Sequence, residues 1–321
     1  MFDDIKKAKE NFIQCLAHDE EDQSALYNVI YCFDYLNEHE EAVTFLKEFI
    51  DQKPYSEIAW HQLGREYYAL KNYKKSVWAF DYATLIDEDF VGAYLEKGKA
   101  LEKLKKHEEA IASYLITLDI ADATSYVLLR IGSCYEKLDN FPMAHEYFKK
   151  AIHEDPMLDK GWIALTDLAL KELKYEKALM YLHKALSIDE FNAKYWIRYA
   201  VINKSLLNFK EVEKGYTMAI ECSDYVLEYW LELTDVLFVL EKYEEAIQKL
   251  LQIMSTYQDN IDILYRLAIY HLAINDFDNA QVYLYKALKI DSSKAAIIEA
   301  QFPTYWNHPI IVNALKKFET K

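Results

Sequence analysis

The chain repeats a 34-residue pattern eight times without an insertion or deletion, and this period constrains its fold more than any other feature. Counted from residue 23, the repeats occupy 23–56, 57–90, 91–124, 125–158, 159–192, 193–226, 227–260 and 261–294. Within each repeat, two stretches carry apolar residues at helical spacing, and a short break separates them. The pattern predicts eight helix hairpins, which must pack on one another because a single hairpin cannot bury its own apolar faces.

Two columns of the repeat pair a mostly small residue with a large one. The eighth position holds Ile30, Gly64, Gly98, Gly132, Thr166, Ala200, Thr234 and Ala268. The twenty-fourth holds Leu46, Phe80, Tyr114, Phe148, Leu182, Tyr216, Leu250 and Leu284. Small residues let two helix backbones approach closely, and large residues fill the space beside the crossing. Ile30 is large for its column, which predicts altered helix spacing in the first repeat.

These columns carry a family motif. The second repeat places Trp60, Leu63, Gly64 and Tyr67 at the spacing W-x2-L-G-x2-Y, and an A-x3-F column follows. On these residues the chain resembles tetratricopeptide repeat (TPR) proteins from about residue 3 to residue 294. The wider sequence is similar to cytoplasmic bacterial members. The resemblance implies an all-α, right-handed α-solenoid superhelix, whose first helices line a concave groove that binds protein segments.

The two ends depart from the full repeat. Residues 1–22 fit only the second helix of a repeat, with Ile5, Ala8, Phe12 and Cys15 in its apolar columns. This half repeat predicts a truncation edge of a longer repeat protein, and the alternative is a natural N-terminal cap. Residues 295–321 predict C-terminal capping helices over the eighth repeat.

The charge limits the classes of partner. The formal net charge is −16, which argues against nucleic acid and against an anionic membrane surface as partners, because both require an excess of Lys and Arg. The four cysteines are scattered and form no C-x-x-C pair, as expected in a reducing compartment. The N-terminus lacks the features of a signal peptide. The expected location is cytoplasmic.

No motif predicts a reaction. The sequence contains no H-E-x-x-H and no Cys/His cluster, so we expect no enzyme activity, no cofactor and no metal. His39 and His107 share the seventeenth repeat position, and their recurrence in one column favours a structural role over ligation.

The predicted site is the groove of repeats four to six, whose groove positions carry seven positive and two negative charges. A basic trough on an acidic protein attracts an acidic protein or peptide segment. The predicted ligand-binding residues are Tyr126, Arg130, Ser133, Lys160, Lys194 and Arg198. A secondary aromatic patch is predicted at Tyr27, Tyr31, Tyr35, His61, Arg65 and Tyr68. The competing interpretation is that these charges pair with neighbouring repeats.

The sequence therefore predicts a non-enzymatic scaffold or adaptor that binds a protein segment in its groove. The half repeat motivates an alternative from another class, a structural subunit that self-assembles through its repeat ends.

Overall fold

The computed structural model describes residues 2–19, 22–122 and 124–319. Residues 1, 20, 21, 123, 320 and 321, which belong to the predicted half repeat, the third repeat and the C-terminal cap, lie outside the described residues. The described residues form twenty α-helices and one 3-10 turn, without a β-strand, so the predicted all-α class is confirmed. The chain divides into two compact units, residues 1–168 and 169–321.

The first unit consists of antiparallel helices joined by short turns. It contains α1 (Phe2–His18), α2 (Gln23–Leu36), α3 (His39–Gln52), α4 (Glu57–Ala69), α5 (Tyr73–Ile86), α6 (Val91–Lys103), α7 (His107–Ile120), α8 (Ser125–Lys137), α9 (Phe141–Glu154) and most of α10 (Asp159–Lys171).

The second unit continues with the same arrangement of helix pairs. It contains α11 (Tyr175–Ile188), α12 (Ala193–Ser205), α13 (Phe209–Cys222), α14 (Leu227–Val239), α15 (Tyr243–Met254), α16 (Ile261–Ala273) and α17 (Phe277–Ile290), and then α18 (Ala296–Gln301), α19 (Pro303–Trp306) and α20 (Pro309–Glu319).

One backbone feature recurs in every turn between the two helices of a repeat. A residue one or two positions after the end of the first helix adopts a left-handed conformation with φ between 55° and 60°. These residues are Asn37, Lys71, Lys105, Asp139, Leu173, Leu207, Glu241 and Asn275. Each is a non-glycine residue in a region that costs about 1 kcal/mol or more, so packing of the paired helices must stabilise the turn.

Side chains fix the ends of several helices. Asn72, Asn140 and Asp276 accept hydrogen bonds from the backbone N–H groups three residues later and cap α5, α9 and α17. The Trp at the fourth repeat position forms a second type of link, since the indole Nε1 of Trp60 donates to the carbonyl of Pro54 at 2.9 Å. Trp162, Trp196 and Trp230 each donate in the same way to a carbonyl six residues earlier.

The centre of each helix pair is the contact between the eighth and twenty-fourth positions. A Cβ atom added to Gly64 would lie 2.5 Å from Cε1 of Phe80. A Cβ atom added to Gly98 would overlap the ring of Tyr114, and one added to Gly132 would lie 2.5 Å from Cδ1 of Phe148. The aromatic ring therefore occupies the volume that the glycine leaves, as the column sizes predict.

The first repeat shows what a larger residue does at this crossing. Ile30 and Leu46 are both buried, but α2 and α3 approach each other less closely than α4 and α5. The altered spacing expected from Ile30 is therefore observed. Threonine has an intermediate effect, because α14 and α15, which cross at Thr234, also approach less closely than the pairs with glycine.

The terminal helices pack on their adjacent repeats. In α1, which contacts α2, Ile5, Ala8 and Phe12 are half-buried, whereas Cys15 is exposed and Leu16 takes the buried place.

At the other end, α20 packs on α17, and Ile298, Phe302, Ile311 and Ala314 are buried. A 3-10 turn at Ser292–Ala295 leads from α17 into α18.

We expect the sizes at the eighth and twenty-fourth positions to be energetically coupled. Gly64→Ala should destabilise the protein by about 1–3 kcal/mol, because the new methyl group overlaps Phe80. Adding Phe80→Leu reproduces the Ala268 and Leu284 pair of the eighth repeat. The double variant should lose less stability than the sum of the two single losses in urea denaturation.

Gly92→Ala is the control, because its Cβ would approach no atom closer than 3.3 Å. Additive losses at Gly64 and Phe80 would contradict the volume argument.

Candidate protein-binding surface

The first helix of repeat one carries a row of exposed tyrosines. Tyr27, Tyr31 and Tyr35 follow one another at intervals of four residues on α2, and they are 42%, 64% and 41% exposed. Residues four apart lie on the same face of a helix. Three adjacent exposed rings form an aromatic surface of the kind that is enriched in protein interfaces. These residues form half of the predicted secondary aromatic patch.

His61 is placed differently from the tyrosines. Its ring packs at 5.6 Å from Phe80 and 4.8 Å from Phe90, and among the described residues neither ring nitrogen has a hydrogen-bond partner. Burial, assisted by the positive charge of Arg65, lowers the pKa of His61 to about 4. The imidazole is therefore neutral at pH 7 and contributes packing to the helix pair.

Arg65 and Tyr68 remain accessible from solvent. They line a cavity of about 260 Å³ together with Asp34, Glu66, Ala69 and Glu96. Arg65 donates to Oε1 of Gln62 at 2.9 Å and lies 3.8 Å from Asp34. The secondary patch therefore combines exposed rings with a guanidinium group at the edge of a small polar cavity.

Arg130, the central residue of the predicted basic groove, is already bound within the protein. Its Nε donates to Oε1 of Glu102 at 2.8 Å, and its NH2 lies 2.7 Å from Oε2 of the same carboxylate. Tyr114 donates to this carboxylate at 2.5 Å. Tyr126 lies beside the pair, 44% exposed. Arg130 thus connects α8 to α6 through a two-pronged ion pair.

An equivalent ion pair joins repeats seven and eight in the second unit. Arg266 donates to both oxygens of Asp235, at 2.8 and 2.7 Å, and Tyr270 donates to the same carboxylate at 2.7 Å. The Arg266 side chain is only 5% exposed, whereas that of Arg130 is 31% exposed. Both arginines occupy the sixth repeat position, so this position can serve to connect successive repeats.

The six predicted ligand-binding residues are distributed between the two units. Tyr126, Arg130, Ser133 and Lys160 lie in the first unit, and Lys194 and Arg198 lie in the second. The Ser133 hydroxyl donates to the carbonyl of Leu129 at 2.9 Å. Lys160 and Lys194 are exposed, and Arg198 is half-buried. Their role in binding stays a prediction.

Counter-charges reduce the basic character predicted for repeats four to six. Glu102 compensates Arg130 in the first unit, and Glu232 lies 3.2 Å from Lys204 in the second. Neither carboxylate belongs to repeats four to six, so the charge count of those repeats omitted both. Lys160 and Lys194 are exposed and take no part in these two ion pairs, so the prediction of a basic groove now depends mainly on them.

Glu66 is a notable residue that the sequence analysis missed. Its side chain is 2% exposed, and Oε2 lies 2.9 Å from Nδ1 of His39. The same nitrogen lies 3.6 Å from Oδ1 of Asp34. Burial raises the pKa of the Glu66 carboxyl group to about 7. The signal was present in the sequence, because the tenth column is otherwise Cys32, Ala100, Cys134, Leu168, Ile202, Val236 and Tyr270.

The position of His61 predicts a pH-dependent loss of stability. The unfolded chain binds a proton at His61 near pH 6.5, whereas the folded chain does so only near pH 4. Because the unfolded state binds more protons at His61 between these values, the contribution of His61 to stability should fall as the pH decreases through this window. His61→Leu, which restores the mostly apolar fifth column, should remove up to roughly 3 kcal/mol of that pH dependence. Urea denaturation of the wild type and of His61→Leu from pH 7 to pH 4 measures this difference. An equal pH dependence of stability in the two proteins would contradict the prediction.

The two arginine ion pairs should differ in their contribution to stability. Arg266→Ala leaves Asp235 and Tyr270 without their buried partner and should cost about 3 kcal/mol. Arg130→Ala should cost less, about 1–2 kcal/mol, because water reaches that guanidinium group. Chemical denaturation gives both values, with the exposed Lys149→Ala as the control. A larger loss for Arg130→Ala would contradict this ranking.

Comparison with known families identifies the repeat. Two tetratricopeptide repeat family models match, one over residues 125–156 and 261–294 and the other over residues 61–126. The solved structure of Pseudomonas aeruginosa pilF has a TM-score of 0.50 and 17% identity, over 64% of this chain and 94% of that chain. At this identity the likeness supports the fold alone.

Among the described helices, none is both long and apolar enough to cross a membrane.

Two curated relatives extend over more of the chain. Protein O-mannosyl-transferase TMTC3 of Homo sapiens is 23% identical over 256 residues, which cover 73% of this chain and 28% of that protein. Tetratricopeptide repeat-containing protein trd-1 of Caenorhabditis elegans is 21% identical over 285 residues, which cover 86% of this chain and 36% of that protein. The chain thus spans about a third of the length of these relatives. The repeat motif, the helix pairs and the family matches together identify tetratricopeptide repeats in this chain, over residues 61–126, 125–156 and 261–294.

Proposed function

We propose that this chain is a non-catalytic scaffold that binds a protein segment across the exposed face of its first helices, beginning on α2. The row of Tyr27, Tyr31 and Tyr35 is the observation that carries the proposal. Tyrosine gives a large contact area, has few rotatable bonds and retains a polar hydroxyl group, and it is enriched among the residues that dominate binding energy. A partner helix or extended segment would cover the three rings together.

We further propose that the partner segment is acidic. Lys160 and Lys194 are exposed, and both occupy the second position of a first helix. Arg198 lies in the same repeat as Lys194, at the sixth position that Arg130 and Arg266 also occupy. Because the whole chain carries a net charge of −16, a local excess of positive charge would steer an acidic segment toward these repeats and would be sensitive to salt. Arg130 would act mainly in the protein's own packing, since Glu102 already binds it.

Affinity recovery from host lysate tests the tyrosine row. The triple variant Tyr27→Ser/Tyr31→Ser/Tyr35→Ser should lose at least about 90% of a partner that the wild type recovers, because loss of one such anchor typically costs more than 1 kcal/mol. The control is Tyr55→Ser/Tyr225→Ser, which removes two more exposed tyrosines from loops between repeats. Equal recovery by the wild type and the triple variant would contradict the assignment to α2.

A charge-reversal arm of the same experiment tests the acidic segment. Lys160→Glu/Lys194→Glu/Arg198→Glu should release the partner, and moderate salt should weaken its recovery by the wild type. The matched control is Lys47→Glu/Lys74→Glu/Lys149→Glu, which makes the same change in net charge on exposed residues of α3, α5 and α9. Equal loss in both variants would show that only the net charge matters.

Two further expectations stay predictions. Self-association through the N-terminal half repeat would be favoured if the wild type recovered only itself and its mass in solution increased with concentration. A cytoplasmic location stays an expectation from the distribution of cysteines, and localisation of the tagged full chain would test it.

A further inference from the structure

Three side chains from separate helices converge at the junction of the first two repeats. Asp34 lies near the end of α2, His39 is the first residue of α3, and Glu66 lies in α4. The left-handed turn at Asn37 reverses the chain between the first two. One ligand atom from each of the three side chains lies within 4.8 Å of the others. The fold therefore gathers one imidazole and two carboxylates at a single point.

The separations fit a small metal ion. The Nδ1 atom of His39 lies 2.9 Å from Oε2 of Glu66 and 3.6 Å from Oδ1 of Asp34. In a tetrahedral site with metal–ligand bonds of about 2.0–2.1 Å, neighbouring ligand atoms lie about 3.3–3.4 Å apart. Shifts of a few tenths of an ångström would therefore bring these two pairs to ligand geometry, and the ligand oxygens of Asp34 and Glu66 lie within 4.8 Å of each other. The cavity of about 260 Å³ that Asp34 and Glu66 line leaves space for a water molecule at a fourth position.

The charges also match a divalent cation. Glu66 is 2% exposed, and burial of a carboxylate is costly unless a counter-charge compensates it. Asp34 places a second carboxylate beside it, so an ion of charge +2 would neutralise the pair. Arg65 lies 3.8 Å from Oδ2 of Asp34 and hydrogen-bonds Gln62, which leaves Oδ1 directed toward His39.

The same three repeat positions in repeats three and four provide an internal comparison. They hold Glu102, His107 and Cys134, but there Arg130 binds the carboxylate of Glu102 in a bidentate ion pair. In repeat two the position equivalent to Arg130 is Gln62, which carries no charge. The junction of repeats one and two thus has two acidic groups, and its arginine, Arg65, lies 3.8 Å from Asp34 instead of making the two-pronged contact that Arg130 makes with Glu102.

We propose that Asp34, His39 and Glu66 bind a divalent transition-metal cation such as Zn²⁺. A ligand set with one imidazole nitrogen and two carboxylate oxygens suits Zn²⁺ and related first-row ions better than Mg²⁺. Because the ligands belong to α2, α3 and α4, the bound ion fixes the first repeat against the second. This site lies beside Arg65 and Tyr68, at the edge of the secondary aromatic patch.

Zinc titration of the full chain, stripped with a chelator, tests the proposal. Isothermal titration calorimetry with ZnCl₂ should show one tight ion per chain. His39→Asn and Glu66→Gln should each weaken this binding by about tenfold or more. Zn²⁺ should raise the melting temperature of the wild type and should not raise that of His39→Asn. Co²⁺ as a spectroscopic probe should give the visible absorption of a nitrogen- and oxygen-ligated ion in the wild type alone.

His107→Asn is the matched control, because His107 occupies the same repeat position without such a cluster, and it should retain wild-type zinc affinity. Circular dichroism establishes that each variant is folded, and Asp34→Asn, at the most exposed of the three ligands, replaces any variant that is not. Zinc affinity that survives in the ligand variants would overturn the proposal, as would the absence of a tight ion in the wild type.

Discussion

The structure depends on one steric constraint, the combined volume at the crossing of the two helices in each repeat. Where the eighth position is glycine, the twenty-fourth is Phe or Tyr, and the ring fills the space that a Cβ would need. Where the eighth position is Ile or Thr, the twenty-fourth is Leu. The repeat therefore maintains a filled crossing through complementary sizes, and the first repeat, with Ile30, accommodates the larger residue by separating its helices. Close-packed interiors require such compensation, because neither a cavity nor an overlap is tolerated without cost.

Polar groups connect successive repeats once these crossings have set the helix spacing. The arginines at the sixth position of repeats four and eight each bind a carboxylate of the preceding repeat, and a buried tyrosine hydroxyl donates to the same carboxylate. Because these arginines are paired within the protein, a count of charges along the predicted groove positions overestimates the positive charge that is available to a partner. Arg130 was predicted from sequence as a ligand-binding residue, yet its guanidinium group forms an ion pair with Glu102 of the preceding repeat. An arginine that is paired inside the protein helps to align successive repeats, and its charge is less available to a binding partner.

The sequence predicted the helix pairs well because their determinants are periodic and local. The turn at Asn37 and its seven equivalents, the cap at Asn72 and the Gly64–Phe80 contact all follow from positions within one repeat. The Asp34, His39 and Glu66 cluster could not be predicted in this way, because its members come from three helices of two repeats and match no short motif. The 3-10 turn at Ser292–Ala295 also escaped prediction, since it lies where the repeat pattern ends.

The cluster and the arginine ion pairs are two solutions to the same electrostatic problem. A carboxylate at the junction between repeats must be compensated, because the surrounding columns are apolar and water reaches it poorly. At the junction of repeats three and four a guanidinium group from the next first helix performs this role. At the junction of repeats one and two the corresponding side chain is the neutral Gln62, while Glu66 adds a buried acid in a column that is otherwise without acidic residues. The imidazole of His39, 2.9 Å from Glu66, carries at most one positive charge, whereas a divalent cation held by all three ligands would balance two carboxylates. The difference between Gln62 and Arg130 therefore explains why the cation site belongs to the first junction.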